Sequence, residues 1–122
     1  MTPLPPDSAI AASCRALTIA LAVFLFVASS FPAAGLAFPG ITHRVAHLTA
    51  YAVIGFAYGL GWQRQPSLPI FGFVAALSAI QECSEIFTHH HALDVADVLV
   101  DSIGAAIGGA LTRPLVPATA RV

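Results

Sequence analysis

The chain has 122 residues, which is about the length of one small domain. Charged residues make up only 9% of it and hydrophobic residues 57%, whereas a typical soluble domain has about 25% charged residues. This composition excludes most classes of soluble protein, and with a mean hydropathy of +0.83 it predicts that lipid covers much of the surface. The net charge of −1, with five arginines and no lysine, gives no basic stripe and excludes a nucleic-acid-binding protein.

Four apolar stretches follow one another along the chain, each close to the roughly 20 residues that a membrane-spanning helix needs. In chain order they cover residues 15–31, 43–62, 68–87 and 93–111. They are separated by a Pro- and Gly-rich loop at 32–40, a connection at 63–67 and a break at 88–91. The sequence therefore predicts an all-α fold, namely an integral membrane bundle of four transmembrane helices.

The arginines predict how this bundle is oriented in the membrane. With four spans both termini lie on the same side, and that side collects Arg15, Arg64, Arg113 and Arg121. By the positive-inside rule we expect a multi-pass protein of the cytoplasmic (inner) membrane, with a cytoplasmic leader at 1–14, a transmembrane domain at 15–112 and a cytoplasmic tail at 113–122. The alternative for the first stretch is a cleaved signal peptide, because small residues at 28–30 follow its apolar run.

Ionisable residues gather at one end of the predicted bundle, the end that faces away from the cytoplasm. The histidines lie at 43, 47 and 89–91, and most of the acidic residues fall between positions 82 and 101. Helical spacing places Glu82 and Glu85 on one face of the third helix, and Asp94, Asp97 and Asp101 on one face of the fourth. Since a charge at membrane depth is costly unless it is paired or hydrated, we expect these faces to point into the bundle.

Small residues continue the same helix faces. Gly104 and Gly108 extend the aspartate stripe of the fourth helix, and Gly55 and Gly59 repeat the spacing on the second. This GxxxG pattern lets two helices approach closely, so it predicts tight helix pairing within the bundle. It leaves open whether the chain also forms a homo-oligomer.

The residue types at the polar end suit more than one chemistry. Carboxylates and imidazoles bind zinc, manganese or magnesium, and a pair of carboxylates can act as general acid and base. The candidate metal ligands are His47, Glu82, Glu85, Asp97 and Asp101. No HExxH or similar spacing is present, so a divalent metal cofactor stays an open hypothesis. The run at 89–91 is expected to bind transition metals adventitiously, and both cysteines are expected to be buried thiols.

Two blocks of the sequence resemble the VanZ-like family of small bacterial membrane proteins. The family's motif Asp-Lys-x-x-His-x-x-x-Tyr is matched at His47 and Tyr51, with Arg44 in place of the lysine. Its second block combines Glu-x-x-Gln, a Pro-Gly-Arg turn and Asp-x-x-x-Asn/Asp-x-x-Gly. Here that block is in register at four positions, which are Glu82, Asp97, Asp101 and Gly104. The resemblance covers about three-quarters of the chain.

The departures from the family pattern concern charge at the site. His43 stands where the family has Asp, and Glu85 stands where it has Gln. His91 replaces the arginine of the turn, with no Pro-Gly before it, and a neutral imidazole holds an anionic ligand less firmly than an arginine does. The resemblance implies a multi-pass bundle, associated in some members with antibiotic resistance, namely reduced susceptibility to the glycopeptide teicoplanin.

The leading interpretation is a VanZ-like membrane protein with an extracytoplasmic polar pocket that binds or acts on a cell-envelope component, such as a lipid-linked molecule. The candidate catalytic residues are His47, Tyr51, Glu82, Asp97 and Asp101. The supporting charges are Arg44, Glu85 and His91. One alternative is a structural or accessory membrane protein whose polar residues only pair helices, and another is a proton- or cation-coupled carrier. The sequence does not decide whether the protein is an enzyme.

Overall fold

The computed structural model describes residue 5 and residues 8–64, 67–90 and 92–116, and within these ranges the fold is all-α without a strand. Four long helices and one short helix follow in chain order: α1 Ala9–Ser29, α2 Pro32–Ala37, α3 Ile41–Gly61, α4 Ser67–His89 and α5 Val95–Thr112. A 3-10 turn at Arg113–Leu115 continues α5. The prediction of an all-α fold with four long helices is confirmed.

Two local predictions at the start of the chain are wrong. α1 begins at Ala9 rather than Arg15, because the Ser8 side chain caps the helix by accepting a hydrogen bond from the backbone N–H of Ala11 at 3.2 Å. Part of the predicted leader is therefore helical. The predicted loop at 32–40 contains α2, since Pro32 occupies the first turn, where a proline stabilises a helix instead of breaking it.

The long helices alternate in direction, so that α3 and α5 run parallel to each other. Arg15 near the start of α1 donates a hydrogen bond from Nε to the carbonyl oxygen of Gly61 at the end of α3, at 2.7 Å. Next to this contact, Leu60 packs with Val116, which follows α5. The opposite end of the bundle, called here the polar end, holds the end of α1, the starts of α3 and α5 and the end of α4.

The pairing of α3 with α5 is the most extensive in the bundle, and it depends on glycines. A Cβ atom at Gly108 would meet the backbone oxygen of Ala52, and one at Gly104 would meet that of Leu48. Gly55 approaches α5 in the same way. The close contact along Gly55, Gly104 and Gly108, called here the glycine seam, fixes which residues of α3 face which residues of α5.

The outer surface of the bundle is apolar, whereas part of its interior is polar. Large hydrophobic side chains are exposed on every long helix, for example those of Phe24, Val45, Phe87 and Ile107. Two described helices, Ala9–Ser29 and Val95–Leu115, are long and apolar enough to cross a membrane. The sequence predicted four membrane spans, and two of the described helices qualify as candidates.

The prediction of buried thiols is wrong for Cys83, which is exposed, while Cys14 is half-buried.

Candidate functional site

His47 on α3 and Asp101 on α5 pair inside the bundle. The Nδ1 atom of His47 lies 3.0 Å from Oδ1 of Asp101. The other carboxylate oxygen of Asp101 accepts a hydrogen bond of 2.5 Å from the hydroxyl of Ser78 on α4. Asp101 and Ser78 have no exposed surface, so this carboxylate joins three helices and holds the His47 ring in one orientation.

Asp97 lies in the first turn of α5, nearer to the polar end, and faces two cationic or ionisable side chains of α3. Its Oδ2 is 3.2 Å from Nε2 of His43, and its Oδ1 is 3.8 Å from Nε of Arg44. The second distance is too long for a hydrogen bond, and Oδ1 finds no hydrogen-bond partner within the described part of the chain. Asp97 is only 4% exposed, so this oxygen is buried and available to a further donor or a cation.

Tyr51 and Gln81 extend the polar network toward α4. The Tyr51 hydroxyl donates to Oε1 of Gln81 at 2.8 Å, and Nε2 of Gln81 lies 3.4 Å from Oε1 of Glu85. All three side chains are buried. The side chain of Gln81 therefore connects the phenol of α3 to a carboxylate one helical turn further along α4.

Glu82 is the second acidic side chain of α4, and it lies almost entirely inside the protein. Its Oε2 accepts a 3.4 Å hydrogen bond from the backbone N–H of Asp94, the residue that caps α5. Its Oε1 is buried and has no hydrogen-bond partner among the residues that the structure describes. Glu82 thus links the end of α4 to the start of α5 through Oε2, and its Oε1 lacks a hydrogen bond from any described residue.

A cavity of about 1170 Å³ opens beside this network. One wall is apolar and comes from the end of α1, from α2 and from the start of α3; it includes Phe24, Leu36 and Ile41. The rest of the lining forms a polar wall, and its ionisable residues are His43, Arg44, His47, Glu85, Asp94 and Asp97. The volume and the two unlike walls suit a ligand with an apolar part and a polar or charged part.

The structure separates the predicted site residues into two groups. His47, Tyr51 and Asp97 line the cavity, as do the supporting charges Arg44 and Glu85. Glu82 and Asp101 lie behind the wall, where they contact the residues that form it. His91 lies outside the described residues.

Sequence reasoning left Ser78 and Gln81 out of the site, and it placed His43 at the polar end without naming it as a site residue. The signal for the first two was helical spacing, because Ser78 precedes Glu82 by one turn and Gln81 precedes Glu85 by one turn. His43 likewise lies one turn before His47 on the same face of α3, and their rings are 4.4 Å apart between centroids. Extending each polar stripe by one helical turn would have found all three residues.

The residues that can hold a metal ion differ from the predicted set. Ligand atoms of His43, His47 and Asp97 all lie within 4.8 Å of one another. Asp101, which sequence reasoning offered as a ligand, already uses both carboxylate oxygens on His47 and Ser78. The geometry therefore favours two imidazoles and one carboxylate rather than a set of carboxylates.

In the comparison with known proteins, no family model, no curated protein and no solved structure matches the chain. The chemistry of the site is therefore inferred from its own residues, their contacts and the cavity they line.

Proposed function

We propose that this chain is a four-span integral membrane protein, similar to the VanZ-like family, whose cavity binds an amphipathic component of the cell envelope. The cavity itself carries the proposal, because its lining combines an apolar wall with a polar wall around a volume of about 1170 Å³. In a lipid-linked molecule an apolar chain is joined to a charged headgroup. The two walls match these two parts.

The apolar outer surface supports membrane insertion. Exposed hydrophobic side chains occur on α3 and α4 as well as on the two candidate spans, for example Val53 and Ile80. In water such a surface would be costly, whereas lipid tails are as apolar as these side chains. The histidines of α3 and the acidic residues of α4 lie instead in the interior or on the cavity wall, which is where membrane helices place them.

The distribution of arginines supports an extracytoplasmic opening. Arg15, Arg64 and Arg113 lie at the end of the bundle opposite the cavity, and Arg44 lies at the polar end. The positive-inside rule then places the polar end outside the cytoplasm and both termini inside it. A cavity with this orientation meets molecules of the outer leaflet and of the envelope beyond it.

The unsatisfied oxygens favour a binding site over a network that only pairs helices. A packing network gains stability when each buried polar group has a partner, as Asp101 does with His47 and Ser78. Oδ1 of Asp97 and Oε1 of Glu82 are buried without a hydrogen bond from any described residue. Leaving them so costs about 1–3 kcal/mol each, and a ligand that brings a hydrogen-bond donor or a cation to Oδ1 of Asp97 would offset the cost at that oxygen.

Native mass spectrometry of the detergent-purified protein tests the proposal. The probe is undecaprenyl phosphate, which has a long apolar chain and an anionic headgroup, and phosphatidylglycerol is the comparison lipid of the same charge sign. We expect undecaprenyl phosphate to bind at one molecule per chain. Arg44→Gln should weaken this binding about tenfold, because about 1.4 kcal/mol of charge-assisted contact is lost.

Arg64→Gln is the matched control, since it removes the same charge at the other end of the bundle. It should leave binding of undecaprenyl phosphate unchanged. Leu36→Ser should weaken binding through the apolar wall, where this exposed side chain lines the cavity. Equal binding of the two lipids, or equal losses in Arg44→Gln and Arg64→Gln, would refute a specific envelope-lipid site.

A further inference from the structure

We propose that His43, His47 and Asp97 form a binding site for a divalent transition-metal ion of the zinc type on the polar wall of the cavity. The three residues come from two helices that the glycine seam holds in register. All three line the cavity, so an ion bound there would be accessible to a ligand. The metal would deepen the proposed function, and its role toward an envelope ligand rests on that function.

The spacing of the ligands comes from helix geometry. His43 and His47 are one turn apart on α3, and Asp97 lies opposite them in the first turn of α5. Their ligand atoms lie within 4.8 Å of one another. Bonds of about 2.0–2.2 Å place two ligands of one ion at most about 4.4 Å apart, so the proposed site requires side-chain rotations that bring the ligand atoms closer together.

The His47 ring is oriented as metal-binding imidazoles usually are. Its Nδ1 is engaged by Asp101 at 3.0 Å, which leaves Nε2 as the nitrogen available to an ion. A carboxylate behind a ligating histidine fixes its tautomer and raises its basicity. Ser78 holds the second oxygen of Asp101, so the carboxylate cannot turn away. Asp101 thus acts as a positioning residue rather than a ligand.

Asp97 supplies the independent observation that points to a cation. Its Oδ1 is buried yet has no hydrogen-bond partner in the described parts of the chain. The guanidinium of Arg44, at 3.8 Å, pairs with it only at long range, and the Arg44 side chain is 53% exposed. Because that long side chain can turn toward the cavity, it does not block an ion from Asp97.

Two imidazoles and one carboxylate are three protein ligands, the number found in catalytic zinc sites that keep one position open. The open position would face the cavity and could take water or an oxygen of a phosphate or carbonyl group. An ion there would polarise that oxygen as a Lewis acid.

The test is a titration of the full-length chain in detergent with Co²⁺ alone, followed by competition with Zn²⁺. His89, His90 and His91 are replaced by alanine in every sample, so that the histidine run cannot contribute. We expect one Co²⁺ per chain with the visible absorption of a four-coordinate ion, and its displacement by one equivalent of Zn²⁺. A folded parent protein that binds no ion would overturn the proposal directly.

Variants then identify the ligands. His47→Ala and Asp97→Asn should abolish stoichiometric binding, and Asp101→Asn should weaken it by about 10–100-fold through loss of the supporting carboxylate. Ser102→Ala is the control, because Ser102 lies on α5 but neither lines the cavity nor belongs to the three-residue group, and its hydroxyl bonds the carbonyl of Val98 in its own helix. Circular dichroism and size-exclusion profiles show which variants remain folded.

Unchanged binding in folded His47→Ala, or binding lost in folded Ser102→Ala, would contradict the assignment of these ligands. The metal titration contains no lipid, so it tests metal binding independently of lipid binding. Metal binding without lipid binding would leave the metal site standing and reject the proposed ligand class. Lipid binding without metal would reject the metal site alone.

Discussion

The polar end and the glycine seam belong to the same two helices, but they are built in opposite ways. Along the seam, small residues bring the backbones of α3 and α5 together, as at Gly108 and Ala52. At the polar end long ionisable side chains, such as His43 and Asp97, pair between the same two helices, with a cavity beside them. The seam leaves no room for a ligand, whereas the polar end leaves both room and an unsatisfied oxygen.

This difference shows how one helix pair can provide both a rigid framework and a binding site. Parallel α3 and α5 keep one register, so the contact at the glycine seam determines which histidine meets which aspartate. His47 opposes Asp101, and His43 opposes Asp97. Disturbing the seam should therefore damage the whole bundle, and disturbing the polar end should damage it less.

The largest effect is expected at the seam. Gly108→Ala should lower the free energy of unfolding by about 3 kcal/mol, because its Cβ would meet the backbone oxygen of Ala52, which cannot move aside. Gly109→Ala is the matched control on the next residue, whose Cβ would be 4.0 Å from the backbone oxygen of Gly55. Thermal or denaturant unfolding in detergent measures both.

Gly109→Ala should be neutral or stabilise the protein by up to about 1 kcal/mol, since alanine favours a helix more than glycine does. The two neighbouring substitutions are therefore expected to have effects of different size and sign. Equal effects would show that α3 and α5 do not approach each other along this face.

A smaller effect is expected where the seam leads into the polar end. Asp101→Ala should cost about 2 kcal/mol in unfolding free energy, because Ser78 and His47 both lose the buried carboxylate that they contact. Ser102→Ala is the neighbouring control, since its hydroxyl bonds the carbonyl of Val98 in its own helix. That change should stay within about 0.5 kcal/mol.

The same unfolding measurement can contradict this prediction. If Asp101→Ala is as stable as the parent, the contacts of Asp101 do not hold three helices together. This result would also reject the assignment of Asp101 as the positioning residue that orients His47.

The sequence predicted the long helices and the gathering of polar residues because both follow from local patterns. The length of the apolar stretches predicts the helices, and a spacing of three or four residues places Asp97 and Asp101 on one helix face. It missed α2, because Pro32 was interpreted as a breaker although it occupies a first turn.

Other features of the site depend on contacts between helices, and residue spacing within one helix does not predict such contacts. The pairing of His43 with Asp97 requires the register of α3 against α5. The role of Ser78 requires α4 to lie close to α5 at Asp101. For the same reason the predicted metal ligands included Asp101, whose oxygens the fold uses for other contacts.

The central claim is that the polar end opens to the extracytoplasmic side of a membrane, and cysteine labelling tests it most directly. Cys14 and Cys83 are replaced by alanine, and single cysteines are introduced as Ala92→Cys beside the cavity and Arg64→Cys at the other end. Both positions are exposed in the fold. A membrane-impermeant maleimide is applied to intact bacteria that express the chain, and then to permeabilised ones.

The account predicts labelling of Ala92→Cys in intact cells and labelling of Arg64→Cys only after permeabilisation. The reverse pattern would place the cavity on the cytoplasmic side and remove the basis for an envelope ligand. Equal labelling of both positions in intact cells would contradict a bundle that separates its two ends across a membrane.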